Sequence, residues 1–572
     1  MDFQLLTLGA AANARHRIAT IITAVMLIVS TVGATASTVN AQSHTPKTTA
    51  SDIDSVLRNG RSLESDGRWG EALGVYQAAL KSNPKNELLK TRRAVSRIHY
   101  DLARRYSDAS FIQSVDSTDG ATAASVYAEV LLKVQSYYVD EPDWAELASY
   151  GLTSLEVALL SEDFRAKHLP NISADQVQTQ IMQNRAVADK TIVNTRHEAY
   201  QFANTIARSL EQRVGLHPQA VTYEFICGAI SALDPYSAFM SNNQYNETMS
   251  QIEGNFVGLG VELRTHANEL EIVSVIPGGS ADIGGLIKGD RIMAVDRQSV
   301  EIVGSERAAD MLRGTEGSFV NLTIDRGDGA KLVKLERRRV EIPSVDQVSI
   351  KDTQNGVGYI RLTNFQKTTA RDFDAALWKL HRKGMRSLIV DVRGNPGGLL
   401  SASVEVADRF VTNGVIVSTR GRNALENYTH RANLERTWRV PLVVLVDENS
   451  ASASEIFAAA ICDHKRGKIV GSRSYGKGSV QGIFPLTVAG GGVRLTTAKF
   501  YSPTGRAISQ AGVDADFQVV QQGKYSGEAN EDSDAGLRMG IEVARRAKPL
   551  VIENNVSQQR NDFEYESIAG RR

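Results

Sequence analysis

Hydrophobic residues change their spacing twice along the chain, and these changes mark three kinds of structure. From about residue 53 to 245 they recur at helical intervals, which predicts amphipathic helices. From about 254 to 340, short β-rich runs such as Leu270–Ile276 alternate with glycine turns. Farther on, strands alternate with helices, and the continuous apolar run Ser387–Val392 is typical of a buried strand. The pattern predicts a multidomain α+β protein.

An apolar run close to the N-terminus has the layout of a secretory signal. Arg15 and Arg17 precede the apolar residues 18–32, and the small-residue sites 34–36 and 39–41 follow them. The run is short for a membrane span, which needs about 20 apolar residues. An uncleaved anchor is the alternative, and it would bring membrane association through residues 18–32. Both interpretations predict an exported protein, either periplasmic or otherwise extracytoplasmic.

Composition excludes several classes of function. The 572 residues are enough for three to five domains, and Lys+Arg and Asp+Glu both number 65, so the formal net charge is zero. The chain has no overall basic excess, so its charge does not point to a nucleic-acid partner. The two cysteines, Cys227 and Cys462, exclude a disulfide framework and a cysteine-rich zinc site, and both are interpreted as small buried hydrophobes. We therefore expect no metal and no organic cofactor.

The first helical segment resembles a tetratricopeptide repeat over residues 53–86. The small and large packing residues of that repeat are matched by Gly60, Ala72, Tyr76, Ala79 and Pro84. One repeat cannot bury its own apolar face, so the helix from Glu87 to about Arg105 is expected to cap it. A generic helical hairpin is the alternative. This region is a candidate docking site for an adaptor.

Residues 254–340 follow the order of a PDZ domain, with a strand, a glycine loop, further strands, a helix and closing strands. The loop Gly258-Leu259-Gly260 is the candidate peptide-binding site, because its successive backbone N–H groups can hold a terminal carboxylate. The bound peptide would then add as a strand to the sheet. Protein or peptide substrates with apolar C-termini are the expected partners.

Two later segments suggest nucleophilic catalysis. Ser452 lies between the apolar strand Pro441–Val446 and a helix, where the positive end of the helix favours an anion. Helix capping alone is the alternative for this serine. Lys477 stands between two glycines, and its surroundings do not match the phosphate loop. A neutral lysine can be the base that a serine nucleophile needs, and Gln481, four residues on, can orient its amine without adding charge.

A third segment, Asn395-Pro396-Gly397-Gly398, offers bare backbone amides. The amide of Gly397 or Gly398, together with that of Ala453, is the candidate oxyanion hole. A simple glycine turn between a strand and a helix is the alternative.

Together these residues resemble the C-terminal processing peptidases, or tail-specific proteases, over roughly residues 220–520. The 25 residues from Ser452 to Lys477 and the four from Lys477 to Gln481 match that family. The resemblance implies that Ser452 is the nucleophile, Lys477 the general base and Gln481 its positioner. It also implies a core similar to the ClpP/crotonase superfold and a supporting role for Asp463.

The resemblance completes the predicted organisation. The domains are 1–41 for a signal peptide or anchor, 42–120 for the tetratricopeptide-like region, 121–245 for a helical domain with an insertion at 164–200, 246–344 for the PDZ domain, 345–548 for the serine peptidase core and 549–572 for a polar tail. The repeat, the insertion and Ala515, where the family usually has proline, depart from the family pattern.

The function expected on these grounds is that of an exported serine endopeptidase. Its PDZ domain recognises protein C-termini, and a serine–lysine dyad cleaves peptide bonds through an acyl-enzyme. A catalytically inactive PDZ and repeat scaffold for peptide binding is the main alternative. An acyl-CoA-type enzyme on a similar fold ranks lower, because such enzymes lack the serine–lysine pairing.

Overall fold

The structure, a computed structural model, describes residues 50–547 except 267–268, 315, 328, 342, 434–436 and 520–533. The predicted signal or anchor and the whole of the predicted tail lie outside these residues. Within the described part of the chain, no helix is both long enough and apolar enough to cross a membrane. The described residues form two compact units, 50–248 with 421–426 and 481–498, and 249–420 with 427–480 and 499–547.

The first unit is mainly helical. Its helices are α1 (Ala50–Ser65), α2 (Trp69–Ser82), α3 (Glu87–Ser107), α4 (Ala109–Asp116), α5 (Gly120–Tyr137), α6 (Trp144–Leu160), α7 (Glu162–His168), α8 (Ala174–Ala188), α9 (Arg196–Val214) and α10 (Pro218–Leu233), followed by strand β1 (Ala238–Met240) and helix α11 (Asn242–Glu253), which runs on into the second unit. This confirms the helical N-terminal region.

Close helix packing explains two small residues in this unit. A side chain at Gly228 on α10 would come within 2.3 Å of the Tyr150 carbonyl oxygen on α6. A side chain at Gly60 on α1 would come within 2.2 Å of the Tyr76 ring on α2. The second contact is compatible with the tetratricopeptide-like interpretation, in which a small residue admits a large one between two helices.

The first part of the second unit is a small mixed domain. Its elements are β2 (Asn255–Gly258), β3 (Val261–Thr265), β4 (Leu270–Val275), α12 (Ser280–Ile283), β5 (Arg291–Val295), β6 (Gln298–Ser299), α13 (Val300–Val303), α14 (Ser305–Met311), β7 (Phe319–Asp325), β8 (Ala330–Glu336) and β9 (Arg338–Glu341). Strands pair in the order β3-β4-β5-β7-β8, β6 pairs with β5, and β2 pairs with β9. Strand β3 is therefore an edge strand of its sheet.

The rest of the second unit is an α/β layer structure. Its elements are β10 (Val345–Asp352), β11 (Val357–Leu362), α15 (Thr369–Arg382), β12 (Ser387–Asp391), α16 (Leu400–Asp408), β13 (Val415–Arg420), β14 (Thr429–Arg431), β15 (Leu442–Val446), α17 (Ala453–Asp463), β16 (Lys468–Gly471), β19 (Phe517–Gln518) and α18 (Ala535–Arg546). Two further strands, β17 (Ser479–Pro485) and β18 (Gly492–Tyr501), pair with each other, and most of their residues belong to the first unit. The main sheet has the order β10-β11-β12-β15-β16-β19, and all its pairs but the first are parallel.

Both faces of this sheet are covered, as its continuous apolar strands predict. Along β12, Leu388 and Val390 face a core built with α15, α16 and α17, whereas Ile389 faces the layer formed by α18. Parallel strands end at the same edge of a sheet, so the loops after β12, β15 and β16 share one edge. Sites in open α/β sheets lie at that edge.

Candidate active site

Ser452 is held in a strained backbone conformation at the start of α17. Its φ is 56° and its ψ is −113°. An ordinary N-cap residue is extended, and a non-glycine residue rarely adopts a positive φ. Such strain persists only where the surroundings enforce it, and it is typical of functional sites. The conformation therefore favours the nucleophile interpretation over simple capping.

The turn that carries Ser452 is fastened to the loop after β12. The Asn395 carbonyl oxygen accepts hydrogen bonds from the Ala451 N–H and the Ser454 hydroxyl, both at 3.0 Å. The Ser450 hydroxyl donates to the Val392 carbonyl oxygen at 2.8 Å. These bonds join the loops that follow two neighbouring parallel strands, so the serine turn and the glycine loop form one assembly.

The glycine loop packs directly against the serine. A side chain at Gly397 would come within 2.8 Å of the Ser452 Cβ and 2.9 Å of the Ala453 nitrogen, and its φ of 108° also requires glycine. The Gly397 N–H is already used, since it donates to the Asn395 Oδ1 at 2.8 Å. Of the two predicted glycines, this bond favours Gly398 as the amide donor, and the oxyanion hole itself stays a prediction. Within the described residues, the N–H groups of Gly398 and Ala453 have no hydrogen-bond acceptor, so they are the candidate oxyanion donors.

Glu455 joins the serine turn to the lysine loop. Its carboxyl Oε2 accepts from the backbone N–H groups of Ser452 and Lys477, both at 2.8 Å. Its Oε1 accepts from the Ser474 hydroxyl and the Gly476 N–H, both at 2.6 Å. The side chain is fully buried. One carboxyl group therefore brings the backbones of the candidate nucleophile and the candidate base together.

The glycines around Lys477 are required by close backbone packing. A side chain at Gly476 would lie 3.2 Å from the backbone of Gln510, and one at Gly478 would lie 2.2 Å from the Ser509 nitrogen. Lys477 itself is half-buried. The structure places Gln481 on β17, also half-buried, and its role as positioner of the amine stays a prediction.

Asp463 contacts a turn rather than the serine. Its Oδ2 accepts from the Ser502 hydroxyl at 2.5 Å and from the Thr504 hydroxyl and N–H at 2.7 and 3.1 Å. Burial would raise the pKa of this carboxyl, but these donors and Arg506 lower it below its usual value. These bonds fasten the turn that precedes Ser509 and Gln510, and the supporting role of Asp463 in the site stays a prediction.

Neither cysteine suits a nucleophilic role. Burial raises the pKa of Cys227 to about 12, and burial also raises the pKa of Cys462 above its usual range. A high pKa keeps a thiol protonated and unreactive. His464, beside Cys462, is engaged with the Val415 carbonyl oxygen at 2.7 Å. Among the described residues, no group of histidine, cysteine and acidic side chains is arranged to hold a metal ion.

Backbone hydrogen bonds fix the loop that is predicted to bind a terminal carboxylate. Gly260 has a φ of 79°, and its carbonyl oxygen accepts from the Ile276 N–H at 2.8 Å. The Leu259 carbonyl oxygen accepts from the Ala281 N–H at 2.8 Å, and the Leu259 side chain is buried. The loop is therefore fixed immediately before the edge strand β3.

Sequence reasoning missed Glu455 and a buried charged group made by Asp391, Arg393 and Asp534. The spacing from Ser452 to Glu455 is that of a capping box, a signal that points to Glu455. Nothing in the sequence pairs Arg393 with Asp534, because the two residues are 141 positions apart.

Two known sequence families match parts of this chain. The sequence patterns of Peptidase family S41 and of the PDZ domain match residues 356–519 and 248–325. A carboxy-terminal-processing protease of Bartonella bacilliformis is 34% identical over 61% of this chain and 81% of its own length. A carboxyl-terminal-processing protease of Picosynechococcus sp. is 34% identical over 52% of this chain and 73% of its own.

A solved photosystem II D1 C-terminal processing protease shares 25% identity, covering 69% of this chain and 92% of its own, with a TM-score of 0.38. The PDZ and peptidase matches agree with peptide or protein ligands. The chain belongs to the carboxy-terminal-processing proteases of peptidase family S41 and is a serine-type peptidase.

Proposed function

We propose that this protein is an exported endopeptidase that captures protein C-termini with its PDZ domain and cleaves by a Ser452/Lys477 dyad. The observation that carries the proposal is the buried Glu455 carboxyl, which accepts hydrogen bonds from the backbones of both residues. A peptide-binding scaffold has no need to hold a strained serine against a lysine loop. Export rests on residues 1–41 alone.

Lys477 takes the role of general base. Its amine must be neutral to accept the Ser452 hydroxyl proton, as in other serine–lysine pairs. Glutamine at position 481 adds no negative charge that would favour the protonated amine. The tight contacts of Gly476 and Gly478 limit where the lysine backbone can lie.

The reaction is acyl transfer. The Ser452 oxygen attacks the scissile carbonyl carbon while Lys477 takes the hydroxyl proton. The resulting oxyanion accepts hydrogen bonds from the N–H groups of Gly398 and Ala453, and the N-terminus of α17 adds a favourable dipole. Lys477 then protonates the leaving amine. Water, activated by the same lysine, attacks the acyl-enzyme and releases the new C-terminus.

Substrate capture occurs at the PDZ domain. The terminal carboxylate binds the backbone N–H groups of the loop Gly258-Leu259-Gly260, and the peptide extends along β3 as an added strand. Val261 and Leu263 on β3 are half-buried against the apolar core of the domain, which suits an apolar terminal side chain. The N-terminal helical region remains the proposed docking site for an adaptor.

The test is cleavage of an unfolded model protein with an apolar C-terminus. Wild type is compared with Ser452→Ala and Lys477→Ala, and Lys468→Ala serves as a matched control because its side chain is 55% exposed. We expect wild type and the control to cut and both dyad variants to be folded but inert. Equal cleavage by all four proteins would refute the dyad assignment. The absence of cleavage by any of the four would favour the peptide-binding scaffold. Thioester turnover that survives Lys477→Ala would favour the acyl-CoA-type alternative.

A further inference from the structure

A buried charged cluster lies at the start of the glycine loop. The Arg393 guanidinium donates to Asp391 through Nε and Nη2, the shortest bond being 2.6 Å. It donates to Asp534 through Nη1 and Nη2, both at 2.8 Å. The Tyr359 hydroxyl also donates to Asp391, at 2.8 Å. All four side chains are buried, so the cluster is a fixed polar core rather than a surface ion pair.

This cluster is continuous with the candidate oxyanion hole. Arg393 is two residues before Asn395, whose Nδ2 donates to the Leu362 carbonyl oxygen at 3.0 Å and whose Oδ1 accepts from Gly397. Between them, the Gly394 N–H donates to the Asp447 Oδ1 at 2.9 Å. The Arg393 side chain therefore anchors the upstream end of the loop that ends at Gly398.

Asp534 reaches the cluster from outside the matched peptidase segment, which ends at residue 519. It is the N-cap of α18, and its Oδ1 accepts from the Leu537 N–H at 2.9 Å. Leu537, Ile541 and Ala544 of this helix pack on the main sheet. Burial would raise the pKa of Asp534, but the bonds from Arg393 and from the helix N-terminus lower it below its usual value.

We propose that Asp534 is a positioning residue, acting through Arg393 to hold the Gly397–Gly398 loop in register with Ser452. The inference rests on the proposed function, because it concerns the same oxyanion site. Asp391 and Asp534 together fix both edges of the planar guanidinium, so Arg393 cannot pivot. Without the Asp534 carboxylate the guanidinium loses these two bonds of 2.8 Å, and the loop backbone can shift. A shift of about 1 Å near the reacting atoms costs about 100-fold in rate.

The variant to make is Asp534→Asn in the full mature chain. Asparagine keeps the side-chain oxygen that caps α18, but its NH2 group faces an Arg393 donor. The matched control is Asp352→Asn. Asp352 accepts from the Arg545 Nε at 2.5 Å, so this pair ties down the other end of the same helix without touching Arg393. The pair of variants separates loop positioning from helix docking.

Three quantities are measured for each variant. Peptide cleavage gives kcat and KM, and inhibition by a peptide boronate reports on the oxyanion site, because its tetrahedral adduct with Ser452 needs those amides. Hydrogen exchange over residues 392–400 reports on the loop without any need for catalysis. Ser452→Ala tests the proposed function in parallel.

We expect Asp534→Asn to lower kcat by about 10- to 100-fold with KM within about twofold of wild type. Boronate affinity falls in parallel, and exchange over 392–400 becomes faster. Asp352→Asn keeps wild-type kcat and loop exchange. Unchanged loop exchange in Asp534→Asn, or an equal loss of kcat in Asp352→Asn, overturns the inference. If wild type does not cleave, the proposed function fails, and loop exchange alone decides the positioning claim.

Discussion

Glu455→Gln tests the central arrangement of the site, because it keeps the size of the side chain and changes only its hydrogen bonding. The carboxyl accepts from four donors, at 2.8 Å from Ser452 and Lys477 and at 2.6 Å from Ser474 and Gly476. An amide offers one oxygen acceptor and one NH2 donor. Two of the four donors must therefore meet an NH2 group.

The structure shows which amide orientation is less unfavourable. With NH2 at the Oε2 position, the N–H groups of Ser452 and Lys477 both lose their acceptor. With NH2 at the Oε1 position, the Ser474 hydroxyl can rotate to accept, and only the Gly476 N–H is left unpaired. That buried donor costs about 1–3 kcal/mol, and replacing two charge-assisted bonds by neutral ones costs about 1 kcal/mol each. The substitution should lower the free energy of unfolding by about 3–5 kcal/mol, unless a shift of the lysine loop relieves part of this loss.

Urea unfolding and peptide cleavage measure the two consequences. We expect kcat to fall by about 100-fold or more, because a displacement of about 1 Å between nucleophile and base has that effect. Glu156→Gln is the control, since Glu156 is equally buried and is bound by Arg185 through two bonds of 2.8 Å in the helical unit. Breaking that pair should cost about 3–5 kcal/mol without lowering kcat. Glu455→Gln with kcat within about threefold of wild type would refute the reasoning.

Two further predictions concern the lysine loop and the helical unit. Gly478→Ala should abolish cleavage in a folded protein, because the added Cβ would lie 2.2 Å from the Ser509 nitrogen. Gly74→Ala is the control, since its Cβ would meet nothing within 4 Å, and it should cleave like wild type in the same peptide assay. His99 stacks on Trp69 at 3.8 Å, and its burial, with a smaller contribution from Arg92, lowers its pKa to about 4. Below about pH 6.5 the imidazole of His99 is protonated in the unfolded chain but stays neutral in the folded chain down to about pH 4. The free energy of unfolding therefore decreases as the pH falls from 6.5 towards 4, by about 2 kcal/mol at pH 5. His99→Phe keeps the stacking and should remove this loss in urea unfolding at pH 7 and 5; an unchanged pH dependence would contradict it.

Local pattern was sufficient for the elements of the peptidase core. The run Ser387–Val392 forms β12 and the run Pro441–Val446 forms β15, because strands buried on both faces must be apolar throughout. The glycines beside Lys477 also follow from packing, because each of them lies against the backbone of another segment. A glycine is needed wherever two backbones touch, and that need leaves a mark in the sequence.

The choice between the two candidate amides shows where local pattern stops being informative. Gly397 and Gly398 are adjacent, and both suit an oxyanion hole by composition. Only the Asn395 side chain, which accepts from the Gly397 N–H, distinguishes them. A hydrogen bond of this kind depends on a side-chain conformation that no residue type specifies.

The sequence by itself determined which chemical groups are available to this protein. They are a serine at a strand-to-helix turn, a lysine between glycines and a glycine loop, and each lies next to a strand or helix that the sequence pattern predicts. Only the tertiary structure decided how these pieces are held. Glu455 joins two loops, and Asp534 reaches Arg393 across 141 residues. Periodicity and turn chemistry act over a few neighbouring residues, whereas a buried carboxyl group is placed by the packing of the whole sheet, so its partners appear only when the chain is folded.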